Sequence, residues 1–215
     1  MGQATRNIAN SFTTSGVITS SAVNNTSLGN ITDLSLGGSL ILISEQTASA
    51  SSSISFTSGI DSTYDEYWFI FNNIHPANDV VTLLFNGSTD GGSNYNVTKT
   101  TTFFQAYHDE GDAATVLDYT TTTDLAQSTA YQNLGYSLGS DNDENASGIL
   151  KLYNPSSTTY VKHFVSRINM TEYSGFSIDY NVAGYFNTTS AINGVDFKMS
   201  SGNIDAGTIQ MFGVK

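Results

Sequence analysis

The sequence predicts an all-β protein: an antiparallel β-sandwich or jelly roll preceded by an extended N-terminal arm. Short apolar or alternating segments recur along residues 39–215, separated by turns rich in Gly, Asn, Asp and Ser. No segment combines a 3.6-residue apolar period with good helix formers. Residues 1–38 show no regular period at all. We therefore divide the chain into an arm, residues 1–38, and a β-sandwich domain, residues 39–215.

The arm is rich in Ser, Thr, Asn and Gly, with apolar residues at irregular spacing. Such a segment cannot form a core by itself, so it is either a disordered tail or an arm that docks on a partner. A solvated tail carries fewer Val, Ile and Leu residues, which favours the docking arm. The predicted docking residues are Val17, Ile18, Val23, Leu28, Ile31 and Leu34.

The strongest predicted strand is "EYWFIFNNI", which is dense in aromatic and β-branched residues. Alternation places Trp68 and Ile70 on one side and Tyr67, Phe69 and Phe71 on the other. Because both sets are apolar, we predict a central strand that is buried on both faces.

Further strands are predicted in "SLILISE", "ASASSSISFTSGI", the first part of "DVVTLLFNGSTDGGSNYN", "KTTTFFQAYH", "GILKLYNPSS" up to Asn154-Pro155, "TYVKHFVSRINM", "IDYNVAGYFNTTS", "INGVDFKMSS" and "AGTIQMFGV". The glycine-rich "GSTDGGSNYN" is interpreted as a hairpin turn. The best candidates for a short helical turn are "DAATVLDYT" and "TTDLAQSTAYQNL", although both are rich in Thr, a poor helix former.

The last predicted strand runs almost to the end of the sequence and follows the turn "SSGNIDAG". Alternation places Ile209 and Met211 on one face and Phe212 and Val214 on the other, so neither face is plainly polar. We expect this strand to be central in a sheet or buried at a subunit contact.

The composition excludes several classes of function. Charged residues make up 12% of the chain, about half the usual share, and the formal net charge is −12. Since no Lys/Arg cluster occurs, we expect no nucleic-acid partner. There is no cysteine, and no apolar run approaches membrane-spanning length. The N-terminus lacks the apolar core of a signal peptide, so we expect assembly in a cytoplasm without membrane insertion.

No nucleophile, zinc or phosphate-binding motif is found, and no carboxylate pair is singled out for glycoside hydrolysis. We therefore expect no catalytic activity and no cofactor. Two acidic stretches, "AYHDEGDAA" and "GSDNDENASG", are interpreted as solvated loops rather than metal sites. Neither matches the full pattern of a calcium loop. If one of them binds Ca²⁺, the candidate ligands are Asp109, Asp112, Asp141 and Asp143.

Tyrosines near loop-like stretches could stack on sugar rings while nearby Asn and Asp supply hydrogen bonds. The alternative is that they lie at the edge of the core. The candidate glycan contacts are Tyr95, Tyr107, Tyr131 and Tyr136.

Two segments resemble structural proteins of tailed bacteriophages, particularly marine ones. "SGVITSSAVNNTSLGNITDL" is similar to repeats near the N-terminus of such proteins. "AGYFNTTSAINGVDFKMSSGNIDAGTIQMFGVK" resembles a C-terminal β-domain of phage tail-fibre and other virion proteins, where the last part forms a hairpin. "ISFTSGIDSTYDEYWFIFNNIHPA" also fits that domain.

The resemblance implies a β-sandwich, usually a homotrimer, that the N-terminal segment attaches to the virion. We accordingly expect a short tail fibre or appendage that contacts other virion proteins and serves in host attachment, with a host-surface glycan as a further partner. The alternatives are a capsid decoration or head-fibre protein and a stand-alone carbohydrate-binding module.

Overall fold

A computed structural model describes residues 40–214, and the six predicted docking residues of the arm lie outside this range. The described residues form β-strands connected by turns and loops, with no helix. The twelve strands are β1 (Leu40–Thr47), β2 (Ile54–Phe56), β3 (Glu66–Pro76), β4 (Val81–Ser88), β5 (Lys99–Asp109), β6 (Thr115–Tyr119), β7 (Gln132–Leu138), β8 (Ala146–Tyr153), β9 (Lys162–Glu172), β10 (Phe176–Phe186), β11 (Gly194–Met199) and β12 (Ile204–Val214).

All strand pairs are antiparallel, as the sequence predicts. Eight strands form a large sheet in the order β1-β12-β3-β8-β9-β10-β5-β6. Four strands form a small sheet in the order β7-β4-β11-β2. The small sheet covers one face of the large sheet, which we call the inner face; the opposite side is the outer face.

The two sheets are nearly closed into a flattened barrel. One junction is the single pairing of Leu138 in β7 with Glu172 in β9. At the opposite side, the Gln46 side chain of β1 donates a hydrogen bond to the Ser55 carbonyl of β2 at 2.7 Å. Each side is therefore joined by isolated contacts rather than by a continuous ladder, so the barrel is incompletely closed.

Aromatic side chains fill the space between the sheets. Phe197 of β11 contacts Phe71 edge-on at a centroid distance of 5.0 Å and lies 5.4 Å from Phe69. Phe85 of β4 meets Phe164 of β9 at 4.9 Å. Each such pair adds about 0.5–1.5 kcal/mol beyond the area that it buries. The predicted alternation along β3 is therefore correct for its inner face.

The outer face of β3 differs from the prediction. The strand is central, between β12 and β8, as predicted. Tyr67, Phe69 and Phe71 are buried, but Trp68 and Ile70 are only half-buried, because no element among the described residues covers the outer face. The expectation of burial on both faces is thus wrong for this chain taken alone.

The two stretches named as helical-turn candidates contain no helix. "DAATVLDYT" holds β6, and "TTDLAQSTAYQNL" is a loop that leads into β7. The two predicted hairpins are also wrong. β4 and β11 belong to the small sheet, whereas β5 and β12 belong to the large sheet. "GSTDGGSNYN" and "SSGNIDAG" therefore carry the chain from one sheet to the other.

The last strand is central, as expected, because β12 lies between β1 and β3. Ile209 and Met211 are fully buried on the inner face. Phe212 and Val214 are half-buried on the outer face. Gly213 lies directly against the Tyr64 ring, so that a Cβ atom at this position would clash with the ring.

Candidate functional site: an inter-sheet pocket and an outer stripe

Two of the four candidate tyrosines lie in one pocket. Tyr107 of β5 and Tyr136 of β7 line a cavity of about 250 Å³ between the two sheets. We call it the inter-sheet pocket; its lining residues are Gln105, Tyr107, Tyr136, Ser137, Glu172, Phe176 and Ile178. Tyr95 and Tyr131 do not line it. The Tyr131 hydroxyl donates to Asp196 Oδ2 at 2.9 Å, and the Tyr95 hydroxyl is buried.

The pocket opens because the sheets separate beside the single β7–β9 pairing. Leu138 and Glu172 form the only cross-strand pair between these strands within the described chain. Beyond this pair, β7 faces β5 and β10 without a backbone ladder. Side chains rather than backbone hydrogen bonds therefore bridge the gap between the two sheets.

Aromatic rings form two walls of the pocket. Tyr107 meets Phe176 edge-on at a centroid distance of 5.4 Å. Tyr136 stacks on Phe103 at 6.1 Å and also contacts Tyr180. The Tyr180 hydroxyl donates to the Tyr136 carbonyl at 2.9 Å, and burial raises the pKa of Tyr180. Neighbouring aromatic rings thus hold Tyr107 and Tyr136 in place.

Two polar side chains converge on the same space. The Tyr136 hydroxyl donates to Gln105 Oε1 at 2.7 Å, while Gln105 Nε2 has no acceptor among residues 40–214. Glu172 Oε2 accepts hydrogen bonds from the Ser174 amide at 2.8 Å and hydroxyl at 2.6 Å. Glu172 Oε1 has no donor within the same range. Gln105 and Glu172 are only 6% and 7% exposed, but neither free atom is among the buried side-chain atoms that lack a partner, so both atoms face the solvent in the pocket and can be contacted by a ligand there.

The backbone is strained at the pocket wall. Ser137 has φ of 62°, a left-handed conformation that is uncommon for residues other than glycine. Its carbonyl accepts a hydrogen bond from the Tyr173 amide at 3.2 Å, which ties β7 to the turn after β9. Strain of this kind concentrates at binding sites.

Sequence reasoning named Tyr107 and Tyr136 among its four candidates but missed Gln105 and Glu172, for which no local motif exists. A weaker signal was present. In β5 the inward positions include Phe103, Gln105 and Tyr107, and in β9 they include Met170 and Glu172. A buried polar residue is informative, but Lys99 and Thr101 of β5 are also polar at inward positions, so this signal did not single out Gln105.

A second surface is an apolar band on the outer face of the large sheet, which we call the outer stripe. Its residues are Leu42, Trp68, Ile70, Phe104, Leu117, Tyr119, Ile149, Val165 and Phe212. Cross-strand pairing connects Leu42 to Phe212 and Phe212 to Trp68.

The outer stripe reaches both edges of the large sheet. On β1, Leu42 is 51% exposed, and on β6, Leu117 is 74% exposed. Between them, the Lys151 ammonium lies 3.9 Å from the Trp68 ring centre. β1 and β6 are the edge strands of the large sheet, and within residues 40–214 no further strand pairs with the free edge of either. A solvated sheet face is normally polar, so this band is typical of an interface.

The acidic loops are closed by their own hydrogen bonds. Asp109 Oδ1 accepts from the Ala113 and Ala114 amides at 2.8 and 2.6 Å. The other candidate carboxylates, Asp112, Asp141 and Asp143, are exposed. Within residues 40–214, no group of three or more His, Cys, Asp or Glu side chains is arranged to hold a metal ion.

Two buried lysines are the first residues of β5 and β9. The pocket lies at the other end of these two strands. Lys99 Nζ donates to the Ala130 carbonyl at 2.5 Å, and Lys162 Nζ donates to the Thr188 carbonyl at 3.1 Å. Burial lowers the pKa of Lys99 to about 8 and also lowers that of Lys162. Both side chains are inaccessible, so a substrate does not reach them.

No protein-family model matches the chain, and no curated protein or solved structure is significantly similar to it. In the part of the chain that the structure describes, no helix is long and apolar enough to cross a membrane.

Proposed function

We propose that this chain is a structural protein of a tailed-phage virion: a non-catalytic short fibre or appendage that assembles as a homotrimer. Residues 1–38 attach it to the particle, and the β-sandwich projects outward for host attachment. The observation that carries the proposal is the outer stripe. The resemblance of the two terminal segments to virion proteins supports the same assignment.

The outer stripe supports assembly because its apolar side chains are only partly buried in a single chain. Trp68, Ile70 and Phe212 have the residue types of a buried strand face but keep partial access to solvent. Burial of apolar area stabilises an interface by about 25 cal/mol per Å² before the costs of association. With a net charge of −12, copies repel one another, so a dedicated apolar contact is needed to hold them together.

Sister copies are the proposed occupant of the outer stripe. Its most exposed apolar side chains lie at opposite edges of the same sheet, on β1 and β6. A contact between two different edges is head-to-tail, and head-to-tail contacts close into rings when the rotation permits. A trimer is the smallest closed ring of copies above the dimer. It also agrees with the trimers of the similar virion proteins.

The position of β1 supports attachment through the arm. β1 begins at Leu40 and lies at an edge of the large sheet. The chain that precedes Leu40 is therefore connected to the domain at β1, one of the two proposed contact edges.

The decisive experiment measures the mass of the full chain in solution by light scattering, for the unmodified protein and for Leu117→Lys. We expect three times the mass of one chain for the former and a lower mass for the latter. Since Leu117 is 74% exposed, the substitution should leave each chain folded, with a cooperative melting transition that is lowered only by the loss of the contact between copies. Thr159→Lys, at an exposed loop position outside the outer stripe, is the matched control and should remain trimeric.

A monomeric unmodified protein would refute the trimer. Equal masses for Leu117→Lys and the unmodified chain would refute the role of the outer stripe. Deletion of residues 1–38 tests the arm separately. The shortened chain should fold but be missing from purified particles, and normal incorporation would contradict the proposal. A particle reconstruction that places the protein on the shell would favour the capsid-decoration alternative.

The inter-sheet pocket favours a second candidate, a stand-alone carbohydrate-binding module. Its aromatic walls and buried amide and carboxylate groups are independent of the outer stripe. This candidate predicts sugar binding by a protein that is absent from particles, so the incorporation measurement distinguishes it from the first.

A further inference from the structure

We propose that the inter-sheet pocket binds one neutral sugar ring, such as the terminal hexose or N-acetylhexosamine of a surface polysaccharide. The inference rests on the proposed function in one respect, because it takes the ligand of the pocket to be the host-surface ligand used in attachment. Its structural basis, however, lies in residues that the proposed trimer contact does not use.

The aromatic walls provide the first requirement for sugar binding. Sugar rings present C–H faces that pack on aromatic rings, while their hydroxyl groups form hydrogen bonds around the edge. Tyr107 and Tyr136 stand on opposite sheets and line the same space. Phe176 holds Tyr107 edge-on at 5.4 Å, which limits the motion of that ring. Rings fixed before binding lose little entropy when the ligand arrives.

The polar groups provide the second requirement. Gln105 Nε2 is a donor and Glu172 Oε1 is an acceptor, and neither has a partner among residues 40–214. Vicinal hydroxyl groups of a sugar supply an acceptor and a donor at neighbouring positions. Both side chains are also held in place by their remaining atoms, through the Tyr136 hydroxyl and through Ser174.

Charge selects against anionic ligands. Among the described residues, Glu172 is the charged group that lines the pocket, and the lining contains no Lys or Arg. The net charge of −12 adds a repulsive field around the whole molecule. A sialic acid, a sulfated sugar or a phosphate would therefore place a negative charge beside a carboxylate, which disfavours binding.

Size selects a single ring. The cavity of about 250 Å³ is smaller than the pockets that enclose drug-sized ligands, which start at roughly 300 Å³. One ring fits between the sheets, and the rest of a polysaccharide would extend into solvent. The pocket is therefore assigned to a chain end rather than to the interior of a polymer.

The test uses the full chain and ligand-observed NMR with a panel of probes: glucose, galactose, mannose, N-acetylglucosamine, N-acetylgalactosamine, sialic acid and inorganic phosphate. We expect saturation transfer to at least one neutral sugar and none to sialic acid or phosphate. Tyr107→Ala and Glu172→Gln should each weaken binding of that sugar by roughly tenfold or more, because each removes a wall or an acceptor. Tyr160→Ala, at an exposed position near the other end of β9, is the matched control and should bind normally.

Tyr136→Phe provides a second variant with minimal effect on packing. It keeps the ring but removes the hydroxyl that holds Gln105, so binding should weaken while the melting temperature changes little. Absence of a signal for every neutral sugar would overturn the inference, as would preferential binding of sialic acid or unchanged binding by Tyr107→Ala and Tyr136→Phe.

The outcomes separate this inference from the proposed function. A trimer that incorporates into particles but binds no neutral sugar refutes the pocket assignment alone. A sugar-binding monomer that is missing from particles refutes the proposed function and leaves the pocket assignment intact. Sugar binding by Leu117→Lys should equal that of the unmodified chain, since Leu117 lies on the opposite face from the pocket.

Discussion

On β3 the two faces of the large sheet carry similarly apolar side chains but have very different surroundings. On β3, Phe69 and Phe71 of the inner face are buried under the small sheet, whereas Trp68 and Ile70 of the outer face are only half-buried. The inner face therefore accounts for the stability of the single chain. The outer stripe has the composition of a core without a second layer, and the proposed trimer supplies that layer.

The largest effect is expected from removing residues 211–215. Met211 is fully buried, and the shortened β12 would lose its pairing with the start of both β1 and β3. We expect loss of the folded domain, seen as a missing cooperative transition in thermal unfolding followed by circular dichroism. Val214→Thr, which keeps the backbone and changes only the outer face, should still fold. A truncated chain with unchanged melting and mass would contradict the central role of β12.

Adjacent residues of β3 provide the sharpest contrast between the two faces. Phe69→Ala should lower the free energy of unfolding by about 3–5 kcal/mol, because it empties a fully buried site. Ile70→Ala should cost less in the monomer and should instead reduce the mass of the assembled protein. Urea unfolding and light scattering on both variants provide the measurements. Equal losses of stability would remove the distinction between the faces.

The smallest expected effect is the pH dependence of stability that Lys99 causes. This lysine is buried on the inner face. Its folded-state pKa of about 8 lies below the ordinary value of 10.5, so the folded chain releases the proton first. The free energy of unfolding should therefore rise between about pH 8 and 10, by roughly 2–3 kcal/mol. Burial raises the pKa values of Tyr131 and Tyr180, so stability should fall again above about pH 10, where the unfolded tyrosines lose their protons.

Urea unfolding across this pH range measures the effect of Lys99. In Lys99→Met most of the rise should disappear, and the variant should be more stable than the unmodified chain at pH 7, since a buried charge is removed. Lys151→Met, which changes a lysine on the outer face, should keep the rise. A flat profile for the unmodified chain would show that Lys99 is hydrated in the folded protein.

The sequence predicted the fold class because alternation is a local property. The inward series of β3 and β12 could be read directly from neighbouring residues. The assignment of strands to sheets could not, because it depends on pairings between distant segments. The two loops interpreted as hairpins have ordinary turn residues, and nothing local distinguishes a hairpin from a crossing between sheets. β6 was missed because all five of its residues are exposed, so no burial pattern marks it.

The candidate site shows the same limit. Tyr107 and Tyr136 were identified by residue type, but their meeting depends on the separation of β7 from β5 beside a single pairing. Gln105 and Glu172 come from strands far apart in sequence. Their inward positions are visible in the sequence, whereas their convergence is visible only in the fold.

The pairing of β1 with β12 has a consequence for synthesis. These are the first and last strands of the described chain, and they are neighbours along the sheet. Because β12 lies between β1 and β3, β1 has no partner strand in the sheet until β12 has been synthesised. The edge of the large sheet that carries Leu42 therefore forms late, after all the other strands of the described chain are present.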